Sequence, residues 1–252
     1  MKRFTPLIVA LFASAAFIAP ATAADTLKKI KESGTITIGH RDASIPFSYL
    51  DDKQQPIGYS MDLCLKIVDA LKSQLKKPNL KVVLNPVTSQ TRIPLIANGS
   101  IDMECGSTTN SVERQKQVSF VVTTFITGTK LLAKKSSKVK SYKDLKDKAV
   151  VVTNGTTNER AIKELDAKEK LGMKFIPSKD HAESFLSVDS GRAVAFPMDD
   201  ILLAGLINNS KNPGEFEIIG SFLSHDPYAI MISKDDPAFK KFTDGVIIGL
   251  MK

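Results

Sequence analysis

Tryptophan is absent from the 252 residues, cysteine occurs twice, and histidine only as His40, His181 and His225. Two thiols cannot build a disulfide-framework domain. Neither CxxC spacing nor an adjacent histidine makes them a metal or redox centre. The chain also lacks HExxH, GxSxG, a Walker loop and GxGxxG, so the usual marks of hydrolase and nucleotide chemistry are missing and no cofactor or metal is expected. Beyond Ala24 no segment approaches the roughly 18 consecutive apolar residues of a membrane span. The lysines are scattered (Lys28, Lys29, Lys76, Lys77, Lys134, Lys135, Lys240, Lys241) without aromatic residues between them. That pattern solvates a surface and offers nothing on which bases could stack, which argues against nucleic acid as a partner.

What is present is globular in composition: 42% hydrophobic and 25% charged residues, core enough for one large or two modest domains. Lys2 and Arg3 precede an apolar run over residues 7–18, then Pro20 and the triplet Ala21, Thr22, Ala23. These are the three regions of a cleaved secretory signal, predicted to occupy residues 1–23. Its removal lowers the formal net charge of +8 by two and places the mature chain outside the cytoplasm. In an oxidising compartment Cys64 and Cys105 either pair or remain two buried thiols. A bond would stabilise the fold by about 4 kcal/mol.

Short β-branched runs alternate with helical periodicity. Strands are predicted at 35–39, 81–87 and 101–105, with helices at 60–77 (Leu63, Ile67, Leu71 and Leu75 on one face) and 92–98. A second series gives strands at 129–133, 149–153, 173–177, 193–198 and 216–220 and helices at 157–170, 181–190 and 199–208. Such alternation indicates an α/β chain with two mostly parallel sheets. The lysine-rich stretch 134–148 reads as a surface connection with a short helix. The end of the chain reads as a strand at 228–233 and a helix at 237–251; with no C-cap, that helix suggests that a final piece of the fold follows.

Three polar segments stand where a predicted strand passes into a helix: 106–114, 154–159 and 88–92. Unpaired N–H groups and the positive end of the helix dipole make such places suited to anions. Asn110 with Glu113, and Thr156 with Glu159, also have capping-box spacing, a structural device in most helices.

Gly39-His40-Arg41-Asp42-Ala43-Ser44-Ile45-Pro46-Phe47-Ser48-Tyr49, Gly58-Tyr59-Ser60-Met61-Asp62-Leu63, Glu104-Cys105-Gly106-Ser107-Thr108-Thr109-Asn110 and Glu113-Arg114 together resemble the polar amino-acid-binding proteins of ABC importers, nearest to the glutamate/aspartate-binding members. The resemblance spans nearly all of the mature chain. It implies a two-lobed periplasmic binding protein of type II-like fold, each lobe a sheet flanked by helices, joined by two hinge crossings near 125–129 and 226–230. Lobe 1 would comprise 24–127 and 231–252, truncated at its C-terminal end since relatives continue further, and lobe 2 would comprise 128–230. Such a receptor is a periplasmic monomer and not an enzyme; it closes on L-glutamate or L-aspartate and presents it to a membrane permease.

By its motif, Arg114 matches the residue that grips the ligand α-carboxylate, aided by Thr109, Thr156 and Thr157. Asp199 matches the acid that accepts the ammonium, with adjacent Asp200 leaving a one-residue ambiguity. Arg41, Ser89, Arg92, Ser107 and His181 match positions that meet the side-chain carboxylate. The chemistry is coherent: a second anionic group needs a second cationic clamp, and an amide would leave a guanidinium desolvated and unpaired. His181 can also be read as a solvent-facing residue of a first helical turn. Two rival functions share the fold. One is a dehydratase acting on an acidic amino-acid-like compound, with His181 or Asp199 as general acid; the other is the sensor module of a signalling receptor. For the cysteines, the family pattern does not secure a bond, and Cys64 is the only mate available to Cys105.

Overall fold

A computed structural model describes residues 25–252; the predicted signal segment lies outside them. The chain opens with α1 (Thr26–Ser33), capped by the Asp25 side chain and ended by Gly34 in the left-handed conformation. This helix was not foreseen, because in TLKKIKES only Thr26 and Ile30 are buried and no apolar stripe announces it.

The first sheet has the order β5-β1-β6-β15-β7, formed by β1 (Thr35–His40), β5 (Lys81–Pro86), β6 (Met103–Cys105), β7 (Val118–Phe120) and β15 (Met231–Ser233). β1 pairs in parallel with β5 and β6, and β15 runs against β6 and β7. One strand of five is therefore reversed. Against this sheet pack α2 (Tyr59–Gln74), α3 (Arg92–Ala97) and α7 (Pro237–Leu250). α2 buries Met61, Cys64, Ile67, Val68 and Leu71, a stripe rotated from the predicted face, whose Leu63 and Leu75 are partly buried at its rim. Cys64 and Cys105 are disulfide-bonded, tying α2 to the end of β6.

The second sheet has the order β11-β10-β12-β9-β13. Its strands are β9 (Thr129–Lys134), β10 (Ala149–Thr153), β11 (Lys174–Ser178), β12 (Ala195–Asp199) and β13 (Phe216–Ile219), flanked by α4 (Thr157–Glu169), α5 (His181–Asp189) and α6 (Asp200–Asn208). Only β9 is reversed. The two-residue period of a strand divides the core between the faces: Leu132, Val151 and Phe196 join one cluster, and Leu131, Val150, Val152 and Ala195 the other. Covered on both faces, these strands read as apolar runs rather than alternating ones.

Between the sheets β8 (Phe125–Thr127) pairs antiparallel with β14 (Asp226–Tyr228), so the chain passes over and returns along adjacent strands. The predicted strand 228–233 is thus two: Tyr228 closes β14 and Met231 opens β15. Phe47 stacks edge-on against Tyr59, Phe125 and Tyr228 beside this crossing. The stretch 134–148 holds two short 3₁₀ turns, Lys135–Ser137 and Tyr142–Leu145, instead of a helix. A small sheet of β2 (Ala43–Ser44), β3 (Ser48–Leu50) and β4 (Pro56–Ile57) completes the architecture. No helix among the described residues is long and apolar enough to cross a membrane.

Candidate functional site

Strand ends of both sheets converge on one cleft. From the first sheet, Arg41 follows β1, its backbone N–H donating to Ser48 Oγ (2.8 Å). Arg92 opens α3 and Arg114 opens a 3₁₀ turn, Arg114–Lys116. Arg41 is 1% and Arg92 2% exposed, and Arg114 is also buried; surface positions for these cations are excluded. Arg92 Nη1 donates to Thr108 Oγ1 (2.5 Å) and to the Ser107 carbonyl (3.3 Å). Arg114 donates from Nη1 to the Thr109 carbonyl (2.9 Å) and from Nη2 to the Gly155 carbonyl of the second sheet (3.2 Å). Burial first, and then the charge of Arg92, make the protonated forms of Arg41 and Arg114 costly, lowering Arg41 to about 10 and Arg114 to about 9. Burial lowers Arg92 likewise. All three remain cations at neutral pH.

The second sheet contributes three strand-to-helix turns. After β10, Thr156 caps α4 by accepting from Glu159 N–H (3.0 Å), while the Glu159 carboxylate reaches back to Gly155 N–H (2.8 Å). This is the predicted capping box with its return bond displaced by one residue. The corresponding prediction for Asn110 and Glu113 fails: only the short 3₁₀ turn begins there, without a capping box, and Glu113 instead forms an ion pair with Arg160 across the cleft. After β11, Asp180 caps α5 and His181 lies 2% exposed, so it faces the cleft and not solvent. Arg41 Nη2 is 3.5 Å from His181 Nε2. A guanidinium can only donate, so Nε2 accepts and Nδ1–H donates to Thr153 Oγ1 (3.1 Å). Burial, with Arg41 and Arg92 nearby, holds the imidazole well below its ordinary pKa, hence neutral.

Asp199 ends β12. It accepts from Asn158 Nδ2 (2.7 Å) and from the Tyr228 hydroxyl. Burial and the neighbouring charge of Asp226 raise it to about 7. Asp200 turns away, accepting from Thr127 Oγ1 (2.6 Å) and its own helix at Ile201 N–H (2.8 Å), which resolves the ambiguity between the two acids in position.

These groups line a tight cavity of about 10 Å³, formed by Ser89, Arg92, Ser107, Thr109, Thr156, Thr157, His181 and Asp199, together with Asn158, Met198 and Leu202. Arg41 stands behind His181, and Arg114 opens onto an adjoining cavity that shares Thr156 and Thr157. The ten residues singled out in the sequence thus gather at one place. Arg41 Nη1, Arg92 Nε, Ser89 Oγ and Ser107 Oγ are buried without hydrogen-bond partners. Buried polar groups are normally paired, and this set of donors is chemically suited to an anionic guest. Sequence reasoning missed Glu104, Thr108, Asn158, Asp226 and Tyr228. Asn158 had a signal in its place at the start of α4, whereas Tyr228 was hidden inside a run read as continuous strand.

Two sheets joined by paired crossings, with a polar cleft between their strand ends and opposite charges held at separate positions, define a two-lobed binding protein for a small zwitterionic solute. Residues 36–252 match the bacterial extracellular solute-binding proteins, family 3, and the chain belongs to that family. It is 53% identical to the L-glutamate/L-aspartate-binding protein of Pseudomonas aeruginosa over 97% of this chain and 83% of that protein. It is also 53% identical to the glutamate/aspartate import solute-binding protein of Escherichia coli over 91% of this chain and 76% of that one. Among solved structures, the arginine-bound form of a truncated arginine-binding protein from T. maritima superposes with a TM-score of 0.79, at 27% identity, over 88% of this chain and 99% of that one. An ancestral amino-acid-binding protein described as a precursor of cyclohexadienyl dehydratase superposes at 0.76, with 30% identity, over 90% and 94%.

Proposed function

We propose that this protein is the periplasmic receptor of an ABC importer, binding L-glutamate or L-aspartate by closure of two lobes and delivering it to the membrane permease as a monomer. The observation that carries the reading is the presence of two separate cationic clamps, Arg114 and the Arg41–Arg92 pair, about a cavity whose lining includes the Asp199 carboxylate at the end of β12. In this reading lobe 1 is 24–127 with 231–252 and lobe 2 is 128–230. Arg114, Thr109, Thr156 and Thr157 hold the α-carboxylate, Asp199 the ammonium, and Arg41, Ser89, Arg92, Ser107 and His181 the side-chain carboxylate. The hinge follows β8 and β14, and a ligand touching both lobes favours closure through that differential contact.

Arg114→Ala should abolish binding of every amino acid. Arg92→Ala should weaken glutamate and aspartate far more than glutamine, by about 2–5 kcal/mol, because it leaves a buried carboxylate unpaired. Equal loss for acid and amide ligands would refute the assignment of Arg92. A dehydratase is the second reading, favoured by one observation, that Asp199, raised to about 7, and a neutral His181 line the same cavity. A receptor returns its ligand unchanged after incubation; an enzyme of that kind would yield a new absorbing product.

A further inference from the structure

We infer that Glu104 is a specificity-determining positioning residue: it cancels one of the two guanidinium charges at the side-chain end of the cleft and so sets how strongly the site separates a carboxylate from an amide. The inference rests on the function proposed above and refines it. Glu104 lies on β6 between Gly39 of β1 and Met231 of β15 and is wholly buried. Its Oε2 accepts from Thr108 Oγ1 (2.6 Å), whose lone pair in turn accepts from Arg92 Nη1 (2.5 Å). The carboxylate thereby orients the hydroxyl, and the hydroxyl fixes Arg92. Oε1 stands 3.9 Å from Arg92 Nη1 and has no hydrogen-bond partner.

Room for this carboxylate is made by Gly106. A Cβ at that position would lie 2.2 Å from Glu104 Oε1 and 2.9 Å from Arg41 Cγ. Glu104 is thus wedged between the two arginines. With His181 neutral, the local sum is two guanidinium cations and one carboxylate, a single positive charge that matches one ligand carboxylate. Asp180, which caps α5, also acts on Arg41 but less than Glu104 does, and it is the same in every variant compared below. Removing the Glu104 charge would leave a double positive charge there, favouring an anionic side chain over its neutral isostere still further.

The test is calorimetric titration of glutamate and glutamine against the parent chain, Glu104→Gln, Glu104→Asp, Arg41→Gln and the double variant Arg41→Gln/Glu104→Gln. Glu104→Gln should raise the glutamate-to-glutamine ratio of binding constants on the order of tenfold, and Glu104→Asp, which keeps the charge, should leave it near that of the parent. Arg41→Gln should lower the ratio, and adding Glu104→Gln to it should raise it again. The double variant decides the matter even where three buried arginines prevent Glu104→Gln alone from folding. An unchanged or lowered ratio in Glu104→Gln, or a double variant no more selective than Arg41→Gln, overturns the inference. If the parent binds neither ligand, the proposed function fails and this inference with it; if the parent binds and the ratios do not move, only the inference fails.

Discussion

In the proposed binding mode the Asp199 carboxylate loses its proton to receive the ligand ammonium, and in the free protein burial and the nearby charge of Asp226 raise its pKa to about 7. Binding therefore favours the ionised form. As pH falls below 7, affinity for glutamate should drop about tenfold per unit, with a proton released on binding. Asp199→Asn should bind weakly at every pH and flatten this dependence; a pH dependence that persists in the variant would assign the effect to another group. Which residues were legible follows from their chemistry. The arginines, serines and threonines of the site were found through motif resemblance and lie around one cleft, whereas Glu104, although it opens one of the motif segments, was given no role. In Ile101-Asp102-Met103-Glu104-Cys105 the apolar and polar residues alternate, the pattern of a half-exposed strand whose acids face water. Both faces are in fact covered: Asp102 is held by Lys29 Nζ (2.9 Å) and the Thr37 N–H (2.8 Å), and Glu104 by Thr108.

At the scale of elements, the turn from β10 into α4 decides how closely the lobes approach. Gly155 has φ +78°, and a Cβ there would lie 2.8 Å from Gln90 Cα and 3.0 Å from Ser89 O, both backbone atoms of the facing lobe that cannot swing aside. Gly155→Ala should therefore weaken all ligands about tenfold or more without altering the glutamate-to-glutamine ratio. Gly191→Ala is the matched control, since its φ of +77° carries the same backbone strain with nothing within 4 Å. It should lower stability and spare affinity. If both variants bind alike, the contact does not limit closure. The disulfide of Cys64 and Cys105 holds the end of β6, and with it Glu104 and Gly106, against α2. Replacing both cysteines by serine should cost about 4 kcal/mol and lower Tm by roughly 8–16 °C; a shift of only a degree or two would show that the closed loop is ordered without the bond. Strands and helices of ordinary length were legible from period alone. α1 was not, being charged around a single core residue, and neither were β2 to β4, whose two or three residues give no period to read.

For the whole molecule, the closed arrangement is what brings the charges together. Arg41 meets His181, Thr109 Oγ1 lies 3.3 Å from Thr157 Oγ1, and Arg114 reaches the Gly155 carbonyl, each pair joining one sheet to the other. None of these partnerships could be read along the chain, since the residues are brought together only by the crossings at β8 and β14. What sequence period did convey was the doubling of the α/β pattern and the polar turns at strand ends, enough to place a cleft but not to say which of its charges face one another. That cleft is expected to prefer a ligand with two carboxylates to one with a carboxylate and an amide. Calorimetric titration of the purified chain with glutamate, aspartate and glutamine measures this directly. Tighter binding of both acids by about a hundredfold or more, from the roughly 3–5 kcal/mol left when a buried cation goes unpaired, is the predicted result. Glutamine binding as tightly as glutamate would contradict it.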